Sequence, residues 1–314
     1  MHAAASINTL SARTLGKHTT AIEALRGRRL DGLTAIVTGA SSGIGVETVR
    51  ALAFGGADVV MACRSVVAGE AVATTLRAEL PTDAGRLEVA ELELADLHSV
   101  RAFVERFLAS GRRLDLLINN AGVMARPLTL TAQGIESQLA INHLGHFALT
   151  TGLLPALGPK GRVVTVASSV ASRGKGKNVL DALTTDPSFA ARAYSPYGAY
   201  DDSKLANVLF TRGLATRLVP GQSTHSIHPG VIGTNLARSM GVVGKVFVFF
   251  LKLFSKTTAQ GAATSVFAAT APELDGQSGT HLANCAIARS SLESTDTELV
   301  ERLWSVSERI VAAG

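Results

Sequence analysis

Tyr200 and Lys204 stand four residues apart in the run Tyr-Asp-Asp-Ser-Lys. On a helix that interval puts both side chains on one face. A free phenol titrates near pH ~10, too high for ready proton exchange at neutrality, and an ammonium beside it favours the phenolate and lowers that pKa. The pair is therefore a candidate general acid/base, although the same spacing also occurs as plain surface amphipathy. Ser168 follows the apolar, β-branched run 163–167, with Ser169 the alternative. In an open α/β sheet, ligands sit beyond the carboxyl ends of strands, where a hydroxyl can bond a substrate oxygen as charge develops. Asn119-Asn120-Ala121-Gly122 ends another such run, and Asn142 lies inside a long apolar stretch, where a buried amide needs partners.

A second group of residues suits phosphate. In Thr38-Gly39-Ala40-Ser41-Ser42-Gly43-Ile44-Gly45 the glycines permit a tight turn and a close backbone approach. The helix that follows offers unpaired N–H groups and its positive dipole end to an anion. A dinucleotide pyrophosphate fits, whereas the Gly-Lys-Ser/Thr ending of a P-loop kinase is missing. An acid about 20 residues further on would bond the 2′-hydroxyl of NAD. Between Val59 and Gly69 there is no Asp or Glu, and Arg64 follows Val-Val-Met-Ala-Cys63. A guanidinium grips a 2′-phosphate with paired hydrogen bonds, so the expected cofactor is NADP(H).

The elements that must hold these groups alternate. Apolar runs at 33–38, 57–63, 87–92, 114–118, 162–167 and 223–227 read as strands; periodic stretches at 46–54, 68–80, 100–108, 135–154 and 200–218 read as helices. A Gly/Lys/Arg-rich loop is expected at 172–177. The alternation implies an α/β fold, a single doubly wound parallel β-sheet of the Rossmann type flanked by helices on both faces. The chain of 314 residues shows no internal repeat or linker, so 31–314 reads as a single Rossmann-fold domain behind a basic N-terminal extension, 1–30, expected to be solvated.

Composition narrows the class. The net charge of +5 is concentrated at 1–30, where Arg13, Lys17, Arg26, Arg28 and Arg29 face only Glu23. With 5% aromatic residues and no basic stripe elsewhere, nucleic acid is not the expected partner. The longest greasy stretch, 242–254, has 13 residues and carries Lys245 and Lys252, short of the ~20 apolar residues of a transmembrane span. Peripheral membrane contact and homo-oligomer contact remain open for it. Two distant cysteines, Cys63 and Cys285, suit a reducing compartment, and a cytoplasmic location is the expectation. His143 and His146, like His225 and His228, have His-x-x-His spacing without the further ligands of a closed zinc site, so no metal is expected.

Taken in order, Thr38-Gly-x-x-x-Gly-Ile-Gly45, Asn119-Asn-Ala-Gly122, Asn142, Ser168, Tyr200-x-x-x-Lys204 and Pro229-Gly230 resemble the signature of the short-chain dehydrogenase/reductase superfamily, from about residue 30 to the end. Ala62-Cys-Arg64, Asn142-His-Leu-Gly-His-Phe147, Ser203-Lys-Leu-Ala-Asn207 and Leu303-Trp-Ser-Val-Ser-Glu308 are most similar to its retinol-dehydrogenase and WW-domain-oxidoreductase-like branch. The resemblance implies hydride transfer between NADP and an alcohol/carbonyl pair. Tyr200 would exchange the proton, Lys204 would tune it and hold the nicotinamide ribose, Ser168 would orient the substrate oxygen, and Asn142 would anchor a proton relay. Gly39, Ser41, Ser42, Gly43, Ile44 and Gly45 would hold the phosphates. Glu93, where Asp is usual, and Leu94 would lie near the adenine, and Asn120, Ala121 and Gly122 would line the adenosine side. Pro229, Gly230, Ile232 and Thr234 would cover the nicotinamide. Asp201 and Asp202 stand where neutral residues are commoner. The family places a variable substrate cap at about 232–258, and an apolar lid there favours a hydrophobic alcohol, aldehyde or ketone. Two other readings stay open: an NADPH-dependent carbon–carbon double-bond reductase, as in the related protochlorophyllide reductases, and a non-catalytic dinucleotide-sensing protein.

Overall fold

The computed structural model describes residues 14–231, 255–290 and 293–313. Among them the strands β1 (Thr34–Thr38), β2 (Asp58–Cys63), β3 (Leu87–Glu91), β4 (Leu114–Asn119), β5 (Leu157–Val166), β6 (Ser223–His228), β7 (Thr280–Ala283) and β8 (Ala286–Ile287) form one sheet in the order 3-2-1-4-5-6-7-8. The first seven run parallel and β8 turns back antiparallel on β7. Asn284 and Cys285 make that two-residue turn with φ of 52° and 58°, the left-handed values a tight hairpin requires.

Strand side chains alternate between faces, which divides the core. Ala35 and Val37 point to one side, where they meet α1 (Ala21–Ala24), α2 (Gly43–Phe54), α3 (Val66–Glu79) and the later helix Thr258–Thr270 through Ala24, Val49, Leu52, Leu76 and Val266. Ile36 points to the other, toward α4 (Leu97–Ala109), Phe147, Phe210 and Trp304. There the Trp304 indole stacks on Phe210 at 5.9 Å between ring centroids and meets Phe147 edge-on at 4.9 Å. Both faces are covered, as a doubly wound sheet demands.

Three segments depart from the sequence expectation. The basic stretch 1–30 is not solvated throughout: the helix Ala21–Ala24 docks on the helices Gly43–Phe54 and Thr258–Thr270, and Ala21, Ala24, Leu25 and Leu30 are buried. Two of its charges are paired, Arg26 with Glu273 at 2.8 Å and Arg29 with Asp31 and Asp83 at 2.7 and 2.9 Å. Charge along the sequence hid an apolar face of Ala and Leu. The loop expected at 172–177 contains a 3-10 turn, Ser169–Arg173, and the start of a helix, Gly176–Leu183. The long helix expected at 135–154 is interrupted: α5 (Ser137–Leu139) passes into a π turn, Ala140–Leu144, before α6 (Gly145–Leu153). The next two helices are α7 (Gly176–Leu183) and α8 (Pro196–Ala215), followed by α9 (Thr258–Thr270) and α10 (Thr297–Ala313). No helix among the described residues is long and apolar enough to cross a membrane.

Candidate active site

Strand order reverses between β1 and β4, and at such a switch point the loops leaving the two strands splay apart and open a crevice. A cleft of about 960 Å³ lies there, and its walls include Gly39, Ser41, Ser42, Gly43, Ile44, Arg64, Glu93, Leu94, Asn120, Ala121 and Gly122. Gly39 and Gly43 adopt φ of 65° and 59°. Gly45 stands just behind: a Cβ there would lie 2.3 Å from the Gly39 carbonyl oxygen. Helix α2 starts at Gly43, and its N-cap Ser42 makes no side-chain capping bond. The first amides of α2 are thus left for an anion, which is what a pyrophosphate needs. The two loops are sewn together by Thr38, whose hydroxyl accepts from the amides of Asn120 and Ala121 at 2.9 Å each, while Asn120 Nδ2 donates to the Thr38 carbonyl at 2.7 Å.

At the outer end, Arg64 follows β2 with its side chain 75% exposed, Nε 3.9 Å from Glu93 Oε2. Glu93 is used locally, accepting from the Ala95 amide at 2.9 Å. At the inner end, Gly122 is the thin place in the wall. A Cβ on it would lie 3.3 Å from Asn142 Oδ1 and 3.4 Å from Lys204 Nζ, so both groups sit directly behind it.

Tyr200 and Lys204 share a face of α8, as their spacing predicts, with Nζ 5.7 Å from the phenol ring centroid. Ser168, just past β5, stands close enough to the Tyr200 side chain for its hydroxyl to lower the phenol pKa. The Ser169 amide donates to His228 Nδ1 at 3.1 Å, and of the two serines it is Ser168 that acts on the phenol. Burial outweighs the Ser168 hydroxyl and pushes the Tyr200 pKa above its usual value, with Asp201 adding to the rise. The expected lowering by Lys204 is not seen here, because the buried ammonium donates instead to the Val166 carbonyl at 2.9 Å. Burial brings Lys204 itself down to about 8. The two unusual carboxylates are both engaged. Asp201 takes a two-pronged bond from Arg173 at 2.9 and 3.1 Å, and Asp202 accepts the Lys175 amide at 2.8 Å, with burial raising its pKa to about 6.

Asn142 is fully buried in the π turn and its amide is satisfied. Oδ1 accepts from the Val123 amide at 2.9 Å, and Nδ2 donates to the Val123 carbonyl at 3.0 Å and to Ser203 Oγ at 2.9 Å. Ser203 passes the bond on to the Tyr200 carbonyl at 2.8 Å. Pro229 and Gly230 follow β6 and are not among the walls of this cleft; a Cβ on Gly230 would lie 2.7 Å from the Lys256 side chain. Ile232, Thr234 and the cap expected from 232 to 254 lie outside the described residues. Sequence reasoning named Ser203 and Asn207 only within a branch motif and gave them no role in the site, although they follow Tyr200 on its helix by three and seven residues, the spacing that shares a face. Asn207 Nδ2 joins Lys204 on the Val166 carbonyl at 3.1 Å. The four histidines have separate uses: His143 meets Ser307 and His225 meets Thr280, each at 2.8 Å, while His146 bonds Thr38 and His228 bonds the Ser169 amide.

Comparison with known proteins agrees with this geometry. Residues 33–180 match the family model described as short chain dehydrogenase. Human retinol dehydrogenase 12 is 42% identical over 282 residues, which cover 89% of this chain and 86% of that protein. The crystal structure of an uncharacterized protein from Mycobacterium Paratuberculosis is 37% identical with a TM-score of 0.73, covering 91% of this chain and 95% of that one. A short chain dehydrogenase from Burkholderia cenocepacia J2315, solved in complex with NADP, is 27% identical with a TM-score of 0.64 over 82% of this chain and 97% of that one. With the glycine-turn cleft, Ser168, Tyr200 and Lys204 in one place, the chain belongs to the short chain dehydrogenase family of oxidoreductases, in its retinol-dehydrogenase-like branch.

Proposed function

We propose that the protein is an NADP-dependent oxidoreductase acting on the alcohol/carbonyl pair of a hydrophobic substrate. The observation that carries the reading is the Ser168 hydroxyl beside the Tyr200 phenol, set against Lys204, one glycine away from a cleft whose helix amides are uncapped. The residues present fit a dinucleotide: uncapped amides at Gly43 for the pyrophosphate, Asn120 to Gly122 for the adenosine side, and the Arg64 guanidinium, which among the described residues has no acid closer than 3.9 Å, for a 2′-phosphate. The NADP complex of the Burkholderia relative and the retinol dehydrogenases among the curated relatives support the cofactor and the substrate class respectively.

The nicotinamide supplies or accepts the hydride. The chain handles the proton. Ser168 holds the substrate oxygen against the Tyr200 hydroxyl, and Tyr200 gives its proton to the developing alkoxide in reduction or takes one from the alcohol in oxidation. A buried ammonium at Lys204 favours phenolate once the Tyr200 proton has left. Asn142 spends its side chain on holding Val123 beside the cleft and, through Ser203, the backbone of Tyr200.

The test is to follow NADPH absorbance over a panel of aliphatic, aromatic and isoprenoid aldehydes and ketones. Tyr200→Phe should abolish turnover, a loss of at least ~100-fold for a positioned acid/base, while NADPH affinity stays within about twofold. Full activity in that variant removes Tyr200 from the chemistry.

A further inference from the structure

His146 lies fully buried between the two ends of the site. Its Nδ1 is 3.1 Å from the Asn142 carbonyl oxygen and its Nε2 is 2.8 Å from Thr38 Oγ1. A carbonyl oxygen only accepts, so Nδ1 carries the hydrogen. Thr38 Oγ1 already accepts from the amides of Asn120 and Ala121. A hydroxyl has one proton and two lone pairs, so with both pairs used the proton of Thr38 goes to a bare Nε2. The alternative acceptor, the Ile118 carbonyl, is further away at 3.4 Å.

We propose that His146, held as the neutral Nδ1–H tautomer, is a positioning residue that couples the dinucleotide loops to the proton-handling residues. The chain of bonds is continuous: the Asn120 and Ala121 amides to Thr38, Thr38 to His146, His146 to the Asn142 carbonyl, then Asn142 Nδ2 to Ser203 and Ser203 to the Tyr200 carbonyl. One end fixes the loop that includes Gly122; the other fixes the backbone that carries the phenol. The π turn helps, since its wider winding changes the local pattern of carbonyl partners just where the Asn142 carbonyl turns to an imidazole. An imidazolium would put a second N–H against the Thr38 hydroxyl and break the chain. Burial, with the Lys204 ammonium nearby, keeps His146 down at about 4, and the other titratable neighbour, His143, is itself buried and held to about 3.

The tautomer is tested on the unliganded protein with 15N-labelled histidine, the His146 signals being identified by their loss in His146→Asn. Nδ1 should show the protonated shift and Nε2 the bare shift, both constant from pH ~5.5 to ~9. A protonated Nε2, or titration in that range, overturns the proposal. Coupling is tested by NADPH titration of His146→Phe, Thr38→Val and the double variant. His146→Phe should weaken binding about 5- to 10-fold, the worth of one buried hydrogen bond, Thr38→Val should weaken it at least as much because it also takes the acceptor from two amides, and the double should be no weaker than the Thr38 single within about twofold. Wild-type affinity in both single variants, or losses that multiply, overturns the coupling. If His146→Phe fails to fold, His146→Asn, which keeps a donor and loses the Nε2 acceptor, takes its place in the cycle. Coupling to cofactor affinity rests on the dinucleotide reading above, whereas the tautomer is read without cofactor, so failure of one is distinct from failure of the other.

Discussion

Arg64 is the residue on which the choice of cofactor turns. It follows the last residue of β2, lines the cleft, and among the described residues is paired only with a carboxylate too distant for a hydrogen bond. A 2′-phosphate would offer that guanidinium paired charge-assisted bonds, each stronger than the contact it now has. Arg64→Asp should therefore weaken NADPH relative to NADH by about 10- to 100-fold, measured by fluorescence titration with both cofactors. An unchanged ratio means that another group reads the phosphate. At this scale the sequence told what side chains of one helix share but not what they touch. Tyr200 and Lys204 were legible because four residues make a turn; the direction of the lysine tip, toward the Val166 carbonyl, was not. His146 looked like helix packing because its partner Thr38 is 108 positions away.

The glycine turn shows how an element can be specified by what must be absent. Gly43 has a left-handed φ but open space around its missing Cβ, whereas Gly45 has ordinary backbone and no room at all. Gly43→Ala should therefore cost roughly 1–2 kcal/mol of backbone strain and little else. Gly45→Ala must push the Gly39 carbonyl aside and should both lower the melting temperature further and weaken NADPH more than tenfold, read by thermal unfolding and titration. Wild-type affinity in Gly45→Ala would show that the turn relaxes without consequence. The strand and helix pattern around this turn was readable because period two and period 3.6 are written locally. Helix α7 was not readable, for a physical reason. Its N-terminus is capped from far along the chain, the Lys175 amide by Asp202 and the Gly176 amide by Glu293, so no capping residue marks it in the local sequence. The docking of residues 14–30 escaped notice in the same way, since its charges find their partners at Asp83 and Glu273.

The molecule as a whole carries an acid-labile core. His143, His146, His225 and His281 are buried, and burial holds them to about 3, 4, 4 and 4. Because these folded values lie below the unfolded value of ~6.5, the unfolded chain binds more protons between pH ~4 and ~6.5, and stability is lost as pH falls through that window. At pH 5 the unfolded state gains up to about 2 kcal/mol per imidazole, which for four groups rivals the ~5–15 kcal/mol stability of an ordinary domain. Asp202 works in the opposite sense. Its folded pKa, about 6, lies above the unfolded value, so its burial costs stability at pH 7, by at most about 3 kcal/mol, and that cost fades as pH drops toward 4. One carboxyl cannot offset four imidazoles, so the melting temperature should fall steadily from pH 7 to pH 5. Asp202→Asn keeps an oxygen to accept the Lys175 amide and removes the buried charge; it should raise the melting temperature at pH 7 and by only about half as much at pH 5. Thermal unfolding of both proteins across this range checks the two signs together. A flat wild-type profile would mean that the buried imidazoles are charged or solvated in the folded state, and an equal gain at both pH values would mean that the folded Asp202 pKa is not raised above its unfolded value.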